Sequence, residues 1–279
     1  MDAPPVTAML SQQVAALREG VGARRLDVAV LALRGRDRST WLNGMVTQDV
    51  RAVPPGRAVY TALVGLKGKL LSDAYVHGRE EELLLLLPAA RADEVLEHFD
   101  RYIVMEDVYV ARRDAEVLTL QGPKSEALAP RYAPAARADR LLRGGLDVVL
   151  DGPEPARAEA LREDVAEGRV VMVSPEAWDI ARLEAGVATF GVDFDTASFV
   201  QEAAITRRAV SFQKGCYLGQ EVVCRLEMRG HVQKQLVAMV LVGDAPATGT
   251  VVLSEGRDVG HITSAAPSAT LPGRAVALA

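Results

Sequence analysis

The chain has 279 residues, 49% hydrophobic and 25% charged, a balance that excludes wholesale disorder, collagen-like repeats and coiled coil. The formal net charge is −5, so the totals hold no basic footprint for nucleic acid. Two cysteines, Cys216 and Cys224, are too few for a disulfide scaffold or a four-thiolate metal site, and a chain this long buries a core without either.

Met1–Met9 lacks the basic and apolar regions of a signal peptide. The longest apolar runs, Leu83–Ala90 and Leu236–Val242, fall far short of the ~20 residues of a membrane helix, so a cytoplasmic setting with no membrane partner is expected. A helix is expected near Ser11–Arg18 and a strand at Leu26–Leu33. Asp37 or Ser39 can cap a short helix through Trp41–Met45. Strands follow at Arg57–Val64 and Leu70–His77, joined by Gly65–Lys69, and at Leu83–Leu87. Ala90–Tyr102 has helical spacing, and Val104–Val110 and Glu116–Leu120 read as strands. A helix near Lys124–Leu128 precedes Pro130–Asp139, whose Ala, Pro and Arg content suggests a linker. Leu146–Leu150 and Val170–Val173 are strands around a helix at Glu154–Glu167. Pro175 opens a helix that stops at Gly186. Beyond Gln235 short Val-rich runs alternate with Gly, Asp and Pro, the spacing of a small all-β barrel or sandwich. Strands and helices mix without strict βαβ alternation, so the expected class is α+β.

The densest chemistry is Lys214-Gly215-Cys216-Tyr217-Leu218-Gly219-Gln220-Glu221. A short helix is expected over Gln220–Leu226, which places Cys216 just before a helix N-terminus. The helix dipole and Lys214 both favour thiolate there. The plainer alternative is a small apolar residue in a tight turn. Cys224 lies roughly 12 Å further along a helix, too far for a disulfide, and reads as a packed residue.

Together with its neighbours, this segment resembles the signature of the folate-binding YgfZ family. That family is related to the aminomethyltransferase (T-protein) of the glycine cleavage system. The match continues through Val222-Val223-Cys224-Arg225 to Arg229-Gly230. Trp41–Val50, Lys67-Gly68-Lys69 with Asp73, and Leu120–Pro123 resemble other blocks of the family in the expected order. So do Arg182–Gly186 with Gly191 and Asp193, and Val259–Ala265.

The resemblance implies a three-part ring. Residues 1–234 would form two interleaved α+β subdomains, roughly 27–112 with 191–234 and 1–26 with 113–190. Residues 235–279 would form a C-terminal β-barrel. It implies a tetrahydrofolate-binding protein that supports assembly or repair of iron–sulfur clusters in client enzymes. The client enzymes or cluster-assembly proteins would be its partners, with no nucleic acid. Cys216 would be the reactive thiol and Lys214 its electrostatic helper. Glu184, in an Arg-x-Glu-x-Gly block, would accept the pterin's amino and ring N–H hydrogens as a bidentate pair. Arg182 would pair with Glu184 or lie on the surface, and Arg225 and Arg229 would hold the glutamate tail. The alternative is a folate-dependent aminomethyltransferase. Its catalytic Asp has a weak counterpart in Asp93, because the family's Asn is replaced near Pro88. His77, His98, His231 and His261 show no metal spacing, so no metal site is expected.

Overall fold

The computed structural model describes residues 8–152, 154–230 and 232–279. Helix α1 (Ala8–Glu19) is followed by β1 (Gly22–Leu26), β2 (Val28–Arg34), α2 (Arg38–Met45), β3 (Ala58–Val64), β4 (Leu70–Gly78) and β5 (Leu83–Pro88). Then come α3 (Ala92–Asp100), β6 (Tyr109–Arg113), β7 (Glu116–Gln121), β8 (Ala136–Arg137), β9 (Gly145–Leu150), α4 (Pro155–Ala166) and β10 (Val171–Met172). Helices α5 (Pro175–Glu184), α6 (Thr206–Ala209) and α7 (Gln220–Arg229) lead to β11 (Ala238–Val242), β12 (Val251–Ser254), β13 (Arg257–His261), β14 (Ser264–Pro267) and β15 (Arg274–Leu278).

Two five-stranded sheets carry the fold. The first is antiparallel, in the order β3-β4-β5-β2-β6. The second runs β10-β1-β7-β9-β8, with β1 and β10 parallel. Strands β2 and β5 are nearly continuous apolar runs because both of their faces are covered. Their alternation divides the core. Leu31, Leu33, Leu83, Leu85 and Leu87 pack with Trp41, Val95 and Phe99 of α2 and α3. Val30, Ala32, Leu84 and Leu86 face Val117 and Val149 of the second sheet. The other face of the second sheet buries Leu118, Leu120, Leu146 and Val148 against Leu128 and Tyr132. Helices α1 and α5 pack together and against Val276 and Leu278 of β15. Ser174 caps α5 by accepting from the Ala177 N–H, with Pro175 in the first turn.

Four sequence expectations change. Pro130–Asp139 is no linker: Tyr132, Ala136 and Ala138 are buried and Ala136–Arg137 pairs with β9. Residues 104–108 form no strand, since Val104 and Met105 point into solvent, and the helix expected at Lys124–Leu128 is a 3-10 helix over Ser125–Tyr132. The C-terminal strands divide into a three-stranded sheet, β11-β15-β14, and a separate hairpin, β12-β13, so the described residues close no small barrel. The hairpin is irregular at Val252 and Leu253, and Leu253 is exposed with no facing sheet to cover it. No helix among the described residues is long and apolar enough to cross a membrane.

Candidate functional site

Helix α2 ends at Met45, and the carbonyls beyond Leu42, whose oxygen accepts the Val46 N–H, have no intrahelical donors. Lys214 supplies them from far along the chain. Its ammonium donates to Asn43 O at 2.6 Å, Val46 O at 2.7 Å and Gln48 O at 2.8 Å. An ammonium has three donors, and all are used. A cation at a helix C-terminus also meets the negative end of the helix dipole. Lys214 is only 6% exposed, and burial pushes its ammonium down to about 8 against the opposing pull of Asp49. The rest of the loop is stitched to the same stretch. Ser211 N donates to Thr47 O, Leu218 N to Gly44 O and Thr47 Oγ1 to Ala209 O.

A third segment completes the clamp. Gly219 has φ 77°, and a Cβ there would stand 2.4 Å from Gly65 O. Gly68, also at positive φ, leaves room for Val222 of α7, whose side chain a Cβ at residue 68 would meet at 2.7 Å. The Trp41–Val50 block, the Gly65–Lys69 turn and the Lys214–Glu221 segment therefore meet at one place. Cys216 stands there exposed and free, ahead of α7. The three donors of Lys214 are spent on the carbonyls of Asn43, Val46 and Gln48, which leaves no hydrogen for the thiol. Tyr217, next along, is buried with a hydroxyl that finds no hydrogen-bond partner, and burial raises its pKa. Cys224 is half-buried and free.

The Arg182–Gly186 block has other work. Arg182 neither pairs with Glu184 nor reaches the surface. It is 4% exposed and donates to Asp193 Oδ2 and Asp179 Oδ1, each at 2.7 Å. The other oxygen of Asp193 accepts from Thr263 and Ser264, so this pair ties α5 to the C-terminal strands. Glu184 does the same nearby. Its Oε1 accepts from Ser268 Oγ at 2.7 Å, Ala269 N at 2.9 Å, Thr270 N at 3.1 Å and Thr270 Oγ1 at 3.0 Å. A bidentate pair with a pterin needs both oxygens, and one is already saturated. The hollow beside Glu184 measures about 10 Å³, too small for a ring.

The remaining candidates are scattered. Arg225 is exposed on α7, and the side chain of Arg229 lies outside the described residues, as does His231. Asp93 opens α3 with its side chain 92% exposed and 3.6 Å from Arg112. No group of three His, Cys, Asp or Glu among the described residues could hold a metal. A cavity of about 660 Å³ lies between residues 191–202, residues 233–239 and the C-terminal strands. Phe194, Asp195, Glu202, Lys234 and His261 are on its wall.

Comparison with known proteins places this architecture. The GCVT N-terminal domain family matches residues 3–140. The tRNA-modifying protein YgfZ of Yersinia enterocolitica is 30% identical over 239 residues, which cover 80% of this chain and 72% of that protein. An aminomethyltransferase of Rubrobacter xylanophilus is 30% identical over 274 residues, covering 89% of this chain and 72% of that one. This chain belongs to the family that unites YgfZ with the aminomethyltransferases. The glycine cleavage system aminomethyltransferase T from Bartonella henselae shares the fold, with a TM-score of 0.80 over 99% of this chain and 82% of that one at 20% identity.

Membership bears out the resemblance read from the Lys214–Glu221 block and the α+β class. The YgfZ-like blocks include Asp73 but not the rest of a polar cluster between the two sheets. Tyr60 donates to Asp73 Oδ2 at 2.8 Å, and burial raises the pKa of Asp73. Arg208 donates to the Tyr75 hydroxyl at 3.1 Å, and Arg140 binds Asp147 through both carboxylate oxygens. The sequence signal was an Asp inside the otherwise strand-like run Leu70–His77. Asp195, Glu202 and Lys234 on the cavity wall carried no such signal.

Proposed function

We propose that this member of the YgfZ and aminomethyltransferase family binds tetrahydrofolate and supports assembly or repair of iron–sulfur clusters in [4Fe-4S] enzymes, with Cys216 as its reactive group. The carrying observation is the three-segment clamp that holds the exposed Cys216 loop through Lys214. Ordering a loop costs free energy, so a loop fixed this tightly around an outward-facing thiol points to a task for that thiol. A [4Fe-4S] cluster takes four thiolates, so Cys216 acts on a client's cluster or thiol in passing and does not store a cluster. Relatives carry the name of tRNA-modifying proteins. With a net charge of −5, this chain reads as a helper of tRNA-modifying enzymes and not as a binder of tRNA.

The cavity of about 660 Å³ has the size that a folate needs. Phe194 offers an apolar wall, Asp195 offers an acceptor for pterin N–H groups, and Lys234 offers a cation for the glutamate carboxylates, while Glu202 is held by Phe199 N and Lys69. Arg225 and Arg229 remain candidates for the outer end of the tail. Glu184 braces residues 268–270 and binds no pterin in this reading. Titration calorimetry with tetrahydrofolate tests it: wild type binds, and Asp195→Asn with Lys234→Ala weakens binding. Unchanged affinity in the double variant would remove the ligand from this cavity.

The aminomethyltransferase relatives favour a second reading, folate-dependent aminomethyl transfer. It needs a held carboxylate, and Asp93 is solvated at a helix start. Turnover of an aminomethyl donor by purified protein, lost in Asp93→Asn, would establish that reading.

A further inference from the structure

A groove of about 440 Å³ crosses the outer face of α2. Its wall includes Asp37, Trp41, Gly44, Met45, Tyr102 and Glu106. Trp41 and Met45 are core residues, 8% and 5% exposed, so the floor is rigid. One end reaches the thiol loop, because the Gly44 carbonyl accepts the Leu218 N–H. The lip is the turn 104–107. It exposes Val104 at 80% and Met105 at 93%.

That lip is a built turn. The Val104 and Met105 N–H groups both donate to Glu106 Oε2, at 2.9 and 3.0 Å. Asp37 Oδ2 accepts the Asp107 N–H at 2.9 Å. Two adjacent apolar side chains are thus pressed into water by a main chain whose hydrogen bonds are made, an arrangement that folding alone does not favour. Leu66 and Phe212, 70% and 45% exposed, add apolar surface on the two segments that hold Cys216. The groove wall carries the carboxylates of Asp37 and Glu106 and no cation. Arg36 lies 3.7 Å from Asp37, but Arg36 is exposed and Asp37 half-buried at the surface, and such a pair is weak.

We infer that this groove is where the client protein of Cys216 docks, through a segment that presents a bulky apolar side chain beside a Lys or Arg. The inference rests on the reading of Cys216 as a group that acts on another protein. Apolar lip and acidic wall then share one groove, and the thiol loop is bonded to its Gly44 end through Leu218. The complement of a carboxylate-lined apolar groove is a cationic, apolar segment.

The test uses the full chain with Val104→Asp and Met105→Asp together, and separately Thr40→Arg, which adds a cation at an exposed position of the same groove. Both are expressed in cells lacking the native protein, beside wild type and Cys216→Ser, and [4Fe-4S] enzyme activities are measured. The double variant is expected to lose about tenfold or more of its rescue, the scale of a lost docking hot spot, and Thr40→Arg to lose a smaller share. Thermal midpoint and the rate of Cys216 alkylation by iodoacetamide should stay at wild-type values. Wild-type rescue by the double variant would overturn the inference, and wild-type rescue by Thr40→Arg would overturn its charge component. A wild-type dimer in light scattering that the double variant dissolves would give the groove to a second copy and overturn the client. Full rescue by Cys216→Ser would instead sink the thiol reading, and the docking variants would still report on the groove.

Discussion

Lys214 donates to the carbonyl oxygen of Val46 at 2.7 Å, closing the C-terminal end of α2 with an ammonium from the thiol loop. Two further carbonyls, of Asn43 and Gln48, share the same nitrogen. The Cys216 loop is therefore held by its own lysine. Lys214→Met removes all three donors and leaves buried carbonyls without partners. The expected cost is about 2–4 kcal/mol, from unsatisfied buried groups at about 1–3 kcal/mol each, softened by water entry. Lys214→Arg keeps the charge but not the compact three-point geometry, and recovers only part. Urea denaturation of the three proteins checks the order.

Gly219 and Gly215 flank Cys216 but differ sharply in what they tolerate. Gly219→Ala meets Gly65 O at 2.4 Å and a positive φ, so a loss of about 2 kcal/mol or more is expected. A Cβ on Gly215 meets nothing within 4 Å, so Gly215→Ala should lie within about 0.5 kcal/mol of wild type. Equal destabilisation by the two would contradict the clamp geometry.

The Arg182–Asp193 pair is buried at both ends, with side chains 4% and 0% exposed. Arg182→Met leaves Asp193 without its cation. Breaking a buried pair from one side costs about 3–5 kcal/mol, and the Thr189, Thr263 and Ser264 donors that remain on Asp193 place this case at the lower end. The expected signature is a fall in thermal midpoint. A ligand-contact role for Arg182 predicts weaker tetrahydrofolate binding with the midpoint unchanged.

Acid should destabilise the seam between the sheets in two stages. Burial pushes the His77 imidazole below its ordinary value, so the unfolded chain binds a proton first as pH drops. Stability then falls below about pH 6.5, by at most about 1.4 kcal/mol per pH unit. Burial works to raise the neighbouring Asp147, but Arg140, bonded to both of its oxygens, overcomes it and holds the carboxyl well below the usual range. Its contribution is present above about pH 4 and is lost as pH falls further. His77 Nε2 stands 3.2 Å from Asp147 Oδ2 without hydrogen-bond geometry. His77→Gln should flatten the slope between pH 6.5 and 5 in urea midpoints and leave the lower stage in place.

The apolar order of the strands was readable from the chain because β2 and β5 are covered on both faces. Residues 104–108 misled for the same reason: Val104 and Met105 look like a buried run, yet they stand in water at the lip of a groove. Pro130–Asp139 looked like a linker because composition does not reveal that Tyr132 is buried, with its hydroxyl bonded to Asp164. Cys216 was legible through its dense motif. The partners of Lys214 were not, since backbone carbonyls have no residue type. Glu184 matched a family block, but its four donors come from residues 268–270, and nothing local announced that its Oε1 was already occupied.

The most direct test of the account is complementation with Cys216→Ser and, in parallel, Cys224→Ser. Both are expressed at wild-type abundance in cells lacking the native protein, and [4Fe-4S] enzyme activity is measured. The account predicts no recovery with Cys216→Ser and near-complete recovery with Cys224→Ser. Full recovery with Cys216→Ser would contradict it.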